Sequence, residues 1–247
     1  MRDLTGSVAW ITGAGTGIGE SAALKLAEAG ATVVLSGRRR DLLDGVAKRV
    51  QAAGGKASVE ALDVADKRAV LDVVGRIKSQ HGRVDIGVFS AGVNVTDRNW
   101  SNVTTDGWDQ VIGIDLDGVF YCCHAVVPLM REQGGGTIIN ISSMAGKAVS
   151  PLTGPAYGAA KHALNAMTAS LLIEERNHNI RATAICPGEV ATPILDARPV
   201  KVSDEDKARM LQAEDVGDLI RYVAQLPMHV TLNEVLITPT WNRFAGR

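Results

Sequence analysis

The sequence predicts an α/β fold: a doubly wound parallel sheet of about seven strands with helices on both faces, in one domain. Three observations predict it. Short apolar runs alternate with segments of helical period from end to end. The first apolar run leads straight into a glycine-rich turn that opens a helix. No linker, repeat or charge block interrupts the alternation, so residues 1–247 read as a single unit.

The elements follow in order. Val8 to Ile11 is an apolar run stopped by glycines, as a buried parallel strand should be. Ile18 to Ala29 repeats apolar residues at Ile18, Ala22 and Leu26, and Gly30 closes that helix. Ala31 to Leu35 is a second strand, Asp41 to Ala53 a helix and Ala57 to Leu62 a third strand. A helix over Lys67 to His81 and a strand over Ile86 to Phe89 come next. One long helix is expected from Thr105 to Glu132, ended by Gly134-Gly135-Gly136 before a strand over Thr137 to Ile141. Tyr157 to Arg176 is another long helix and Ile180 to Ile185 a sixth strand. Asp204 to Gln212 and Asp215 to Ala224 look helical, and Glu234 to Ile237 is a last strand. Glu189 to Val202 breaks the rhythm, with Pro193 and Pro199 and no period; a substrate loop is expected over about residues 189–212.

Composition narrows the function. With Lys plus Arg at 26 and Asp plus Glu at 27, the net charge of −1 offers no basic excess for nucleic acid. Aromatics at 4% are too few for base-stacking platforms. Cys122, Cys123 and Cys186 form no CxxC pair, and His81, His124, His162, His178 and His229 show no ligand spacing, so no metal site is expected. Buried reduced thiols fit a cytoplasmic address, as does an N-terminus without an apolar leader. Val111 to Met130 is long enough to span a bilayer, but Asp115, Asp117 and His124 interrupt it, so it reads as a core helix with no membrane role.

The glycine-rich turn is Thr12-Gly13-Ala14-Gly15-Thr16-Gly17-Ile18-Gly19. A strand before it and a helix after it are the setting of a dinucleotide fingerprint, and the fold is Rossmann-like on that ground. Glycine lets the backbone approach a pyrophosphate, and the helix N-terminus offers free N–H groups. Gly13, Thr16, Gly17, Ile18 and Gly19 are therefore candidate cofactor contacts, although glycines also serve ordinary turns. After the second strand the chain reads Leu35-Ser36-Gly37-Arg38-Arg39-Arg40, with no carboxylate for a ribose 2′-hydroxyl until Asp41. Arginine forks suit a 2′-phosphate, so Arg38, then Arg39, with Ser36 beside them, favour NADP(H) over NAD(H). A solvated basic turn is the competing reading.

Gly13, Gly17 and Gly19 are spaced G-x-x-x-G-x-G. Asn140-Ile141-Ser142-Ser143 ends the fifth strand, Tyr157-Gly158-Ala159-Ala160-Lys161 opens the next long helix, and Cys186-Pro187-Gly188-Glu189-Val190-Ala191-Thr192-Pro193 follows the sixth strand. In this order and at these separations the set resembles the short-chain dehydrogenase/reductase family over nearly the whole chain. The resemblance implies a catalytic Ser143, Tyr157 and Lys161, acting on a small carbonyl/alcohol substrate. It further implies adenine contacts at Asp63 and Val64, a backbone approach at Ala91 and Gly92, and nicotinamide contacts at Pro187, Gly188, Val190 and Thr192. Tyr157 and Lys161 are themselves cofactor-binding on this reading. A turn-forming role for Asp63 competes.

The residue types make chemical sense. Tyr157 and Lys161 share one helix face. A tyrosine titrates near ~10 in water, and a neighbouring ammonium favours the phenolate. Tyr157 can then exchange a proton with a substrate oxygen that Ser143 holds. Departures from the family pattern also stand out. Phe89-Ser90-Ala91-Gly92 replaces the usual Asn-Asn-Ala-Gly, and Asp115 aligns with the asparagine of the family's catalytic tetrad. Asp115 is carried as the fourth catalytic candidate, with a shifted pH profile expected. Leu236 to Trp241 lacks the family's glycine-rich ending, which weakens an assignment to the acyl-carrier-protein reductases.

Arg98, Lys147 and Arg198 lie in three loops expected around the substrate and can receive an acidic one, against the commoner role of solvated loop charges. Asn94, Val149, Leu152, Ile194 and Leu195 are candidate pocket walls. The resemblance implies a homotetramer or homodimer packed through the long helices, with which the apolar stretch Val119 to Met130 is compatible. An alternative from another class is a catalytically impaired dinucleotide-binding sensor or scaffold, motivated by Phe89-Ser90 and Asp115.

Overall fold

The computed structural model describes residues 1–242. Seven parallel strands stand in the order β3-β2-β1-β4-β5-β6-β7. They are β1 (Val8–Thr12), β2 (Thr32–Gly37), β3 (Lys56–Ala61), β4 (Ile86–Phe89), β5 (Gly136–Ile141), β6 (Ile180–Pro187) and β7 (Glu234–Ile237). The helices are α1 (Gly17–Glu28), α2 (Arg40–Ala52), α3 (Lys67–His81), α4 (Thr105–Ile112), α5 (Gly118–Glu132), α6 (Gly154–Glu175), α7 (Asp204–Arg209) and α8 (Ala213–Gln225). β1, β4, β5 and β6 are buried along their whole length, as strands covered on both faces must be.

Two apolar layers sandwich the sheet. Ala22, Leu26, Leu43, Val46, Val216 and Ile220 pack α1, α2 and α8 on one face. Val70, Val73, Cys122, Val126, Met130 and Leu164 pack α3, α5 and α6 on the other. The chain leaves β1 towards β2 and β3 on one side, then returns to β4 on the other. That reversal opens a crevice at the carboxyl ends of the strands, the place where open α/β sheets bind ligands.

The expected long helix over 105–132 differs in one respect. Gly113–Asp117 is a π turn, closed by the Gly118 N–H on the Gly113 carbonyl, and it buries Ile114 and Asp115. Such one-turn bulges recur at functional sites. Half of this helix's most apolar window is buried inside the fold, as in a core helix. α6 begins earlier than expected, at Gly154, because Pro155 presets the first turn and Gly154 takes φ +73° before it. α7 stops at Arg209, where Leu211 leaves to bridge Val190. The 189–202 segment holds a short 3₁₀ turn at Pro193–Ala197.

Candidate active site

One cavity of about 890 Å³ runs along the carboxyl edge of the sheet. At one end it is walled by Gly13, Thr16, Gly17 and Ile18, with Arg38 and Arg39 beside them and Asp63 and Val64 further round. Ala91 and Gly92 form its floor, and Ser143, Tyr157 and Lys161 line it beside them. Pro187, Gly188, Val190 and Thr192 close the far wall. Asn94, Val149, Leu152, Ile194 and Leu195 also line the cavity.

The glycine turn is shaped by close backbone approach. Gly13 has φ +66°, and a Cβ there would lie 2.8 Å from the Ala91 nitrogen. Gly17 has φ +59° and would press a Cβ against Thr192. Gly19 does not line the cavity; a Cβ there would come within 2.4 Å of the Gly13 carbonyl oxygen, so its glycine keeps helix and turn packed. This backbone cradle at the α1 N-terminus suits a pyrophosphate. Exposed Arg38 and Arg39 stand at its edge. Ser36 does not join them. It is fully buried, and its Oγ accepts the indole N–H of Trp10 at 2.9 Å. Asp63 fills two roles, lining the cavity while its Oδ1 accepts the Ala65 N–H at 3.1 Å.

That indole contact belongs to a core unit that accounts for Phe89. The Phe89 ring meets Trp10 edge-on, with centroids 5.4 Å apart and planes at 76°. Gly87 leaves the room: a Cβ there would touch the Phe89 ring at 2.8 Å. Phe89 is thus an interior residue pointing away from the cavity, whereas Ser90 lines it. Thr12 Oγ1 receives the Ala91 N–H at 3.3 Å, tying β1 to the cavity floor.

Ser143 stands just after β5, and α6 carries Tyr157 and Lys161. Buried Asn140 donates to Thr168 at 2.9 Å, and Asn165 donates to the Gly146 carbonyl at 3.0 Å, so α6 is pinned to β5 and to the turn that follows it. Ser143 Oγ accepts the Ala145 N–H at 3.1 Å. Lys161 Nζ lies 5.4 Å from the Tyr157 ring centroid and donates to the Ile141 carbonyl at 3.1 Å.

Asp115 sits beneath this group, fully buried and off the cavity wall. Its Oδ1 accepts the Val93 N–H at 2.8 Å, and its Oδ2 lies 3.2 Å from Lys161 Nζ. That second contact is an ion pair without hydrogen-bond angles, so Oδ2 has no hydrogen-bond partner among the described atoms. Asp115, expected from the sequence as a fourth catalytic group, contacts Lys161 and does not itself line the cavity. Gly92 leaves the space above the pair, since a Cβ there would approach Oδ2 at 3.3 Å.

The protonation balance departs from the simple expectation for Tyr157. Burial pushes its phenol above the ordinary value; Lys161 pulls it down, Asp115 pushes it up, and Ser143 and Arg98 pull it down, with upward the net direction. Burial would lower the Lys161 ammonium, but Asp115 and Tyr157 more than offset it and hold it above its usual range. Burial raises the Asp115 carboxyl against the pull of Lys161 and the Val93 N–H.

The three loop cations separate. Lys147 pairs with Glu234 at 2.9 Å and does not line the cavity. Arg198 pairs with Glu189 at 2.8 Å, both side chains nearly buried, which braces the substrate loop. Arg98 is buried and lines the cavity. The Glu189–Arg198 brace was not visible in the sequence; an acid beside Pro187-Gly188 and an arginine in the following loop were its only signal.

The family model described as short chain dehydrogenase matches residues 7–202. This chain is a member of the short-chain dehydrogenase/reductase family. This short-chain dehydrogenase/reductase is 36% identical over 245 residues to an uncharacterized oxidoreductase of Staphylococcus saprophyticus, covering 97% of the chain and 100% of that protein. It is also 36% identical over 241 residues to the glycine betaine reductase ATRR of Emericella nidulans, covering 96% of the chain but 19% of that longer protein. Among solved structures, a metagenomic short-chain oxidoreductase in complex with NADP superposes with a TM-score of 0.84 at 32% identity, covering 97% of this chain and 99% of the other. An alcohol dehydrogenase from the archaeon Thermococcus sibiricus, complexed with 5-hydroxy-NADP, gives a TM-score of 0.86 at 26% identity, covering 96% and 98%.

Proposed function

We propose that this oxidoreductase interconverts a carbonyl compound and its alcohol with NADP(H) in preference to NAD(H). The observation that carries the reading is the joining of Ser143, Tyr157 and Lys161 to the arginine-edged glycine cradle by one continuous cavity. A nicotinamide dinucleotide, when bound, would supply or accept the hydride and, in its oxidised form, add a positive ring charge. Gly13, Thr16, Gly17 and Ile18 would hold its pyrophosphate, and Arg38 and Arg39 its 2′-phosphate. Pro187, Gly188, Val190 and Thr192 would shape the nicotinamide end.

The chain's own residues handle the proton. In reduction the Tyr157 hydroxyl donates its proton to the carbonyl oxygen as the carbon gains a hydride. In oxidation the phenolate takes that proton back from the alcohol. Ser143 donates a hydrogen bond to the same oxygen and orients it. Lys161 holds positive charge beside the phenol, and Asp115 fixes Lys161. The reading as an impaired sensor rests on Phe89-Ser90 and Asp115; Phe89 has a packing role of its own, and the ion pair keeps Lys161 charged. A homodimer or homotetramer in the cytoplasm fits the exposed Phe120, Trp108 and Ile173 on the long helices, and its mass in solution tests it.

The cofactor half is tested by titrating the protein with NADPH and NADH while following nicotinamide fluorescence. NADPH is expected to bind at least about tenfold more tightly, with Arg38→Ala removing most of that advantage. Tighter NADH binding would overturn the 2′-phosphate assignment, and binding of neither would overturn the oxidoreductase reading.

A further inference from the structure

Arg98 has a place in the fold that the proposed reaction leaves unused. It follows β4 in a loop strapped to its neighbours. Asn94 Nδ2 donates to the Thr153 carbonyl at 3.0 Å, one Arg98 amino group donates to the Leu152 carbonyl at 3.3 Å, and the other to the Ala197 carbonyl. The packing is close: Gly154 has φ +73°, and a Cβ there would collide with the Arg98 carbonyl oxygen. Arg98 is 5% exposed, so its guanidinium is almost entirely withdrawn from bulk water.

A guanidinium stays charged at neutral pH, and a buried charge costs several kcal/mol unless an opposite charge answers it. Two carbonyl oxygens meet two of its five N–H groups, while the buried Nε has no partner. Among the described residues no carboxylate comes within ion-pair distance of Arg98. The acids on this stretch of wall are engaged elsewhere or solvated: Glu189 pairs with Arg198, and Asp196 is exposed. The other two loop cations are neutralised by Glu234 and Glu189, so Arg98 is the unanswered charge. It lines the same cavity as Ser143 and Tyr157, and its charge is felt at the Tyr157 phenol as the smallest of the influences there.

We propose that Arg98 is a specificity residue that receives the carboxylate of the substrate, so that the preferred substrate is an oxo acid or its hydroxy acid. The apolar wall fits the rest of such a molecule: Leu152, Val149, Ile194 and Leu195 leave the carbonyl and the carboxylate as its polar ends. This rests on the carbonyl/alcohol reading above, and the experiment keeps the two separable.

The test compares matched pairs, each an oxo acid and its methyl ester, spanning different separations of carbonyl and carboxylate, in NADPH-dependent reduction. At least one acid is expected to exceed its ester in kcat/KM by about tenfold or more. Arg98→Met should collapse that ratio towards unity, acting on the acid's KM more than on kcat, and Arg98→Lys should restore part of it. A purely structural strap predicts instead that both variants impair acid and ester alike, and that result would overturn the proposal. So would esters preferred throughout by the parent protein, a comparison that needs no variant to fold. If neutral carbonyls turn over and no acid does, the carboxylate assignment fails while the oxidoreductase reading stands. If NADPH binds and no carbonyl of either kind reacts, the oxidoreductase reading fails. Acid binding to the NADPH complex, followed by fluorescence, then decides Arg98 separately: absence of binding, or binding unchanged in Arg98→Met, overturns it.

Discussion

Replacing Tyr157 by Phe is expected to reduce turnover on the order of a thousandfold while NADPH binding changes by about twofold or less. In the proposed reaction the phenol oxygen donates the proton to the substrate oxygen, and phenylalanine keeps the ring that packs beside Lys161. α6 stays anchored in the variant, because Asn140 to Thr168 and Asn165 to Gly146 do not involve Tyr157. Steady-state rates together with a fluorescence titration separate the two effects. A variant that binds cofactor normally and also turns over normally would remove Tyr157 from the chemistry.

Replacing Asp115 by Leu is the second large effect. It leaves the 3% exposed Lys161 ammonium without its counterion, a change that costs about 3–5 kcal/mol when a buried pair is broken. The Val93 N–H loses its acceptor as well. At this chain length the melting temperature should fall by about 10 °C. Asp115→Asn should be far milder, since an amide oxygen can still accept from Val93. Its signature is electrostatic. The Asp115 charge raises the Tyr157 phenol, so removing it lets the phenolate form at lower pH. The rising limb of the alcohol-oxidation profile should therefore move to lower pH. A limb that stays in place, or moves upward, would mean that Asp115 does not influence the phenol through this cluster.

Much of this arrangement was legible before any coordinates. Apolar runs between glycines mark strands because parallel strands are buried on both faces, and Val8, Ile86 and Ile138 lie in such runs. The glycine turn was legible because its position after a strand and before a helix is a physical requirement of anion binding. The π turn at Gly113–Asp117 was not, since one extra residue in a helical turn leaves the apolar period nearly unchanged. That turn is what buries Asp115 against Lys161 and off the cavity wall.

Other differences have the same origin, contacts between residues distant in the chain. Ser36 looked like a neighbour of the arginines, yet its hydroxyl serves Trp10 across the sheet. Phe89 looks like damage to a cofactor wall, yet it fills the space above Gly87 and meets Trp10 edge-on. Arg98, Lys147 and Arg198 were equivalent in the sequence. Only the folded chain pairs the last two with Glu234 and Glu189 and leaves the first unpaired.

The most direct test of the central claim follows the hydride itself. The protein is incubated with NADPH carrying deuterium at the transferable nicotinamide position and with a panel of ketones, aldehydes and oxo acids, and the alcohols are analysed by mass spectrometry. The account predicts one deuterium on the former carbonyl carbon of at least one product, formed with the parent protein and lost with Tyr157→Phe. Tight NADPH binding with no labelled alcohol from any carbonyl would contradict it and leave a dinucleotide-binding protein without this chemistry.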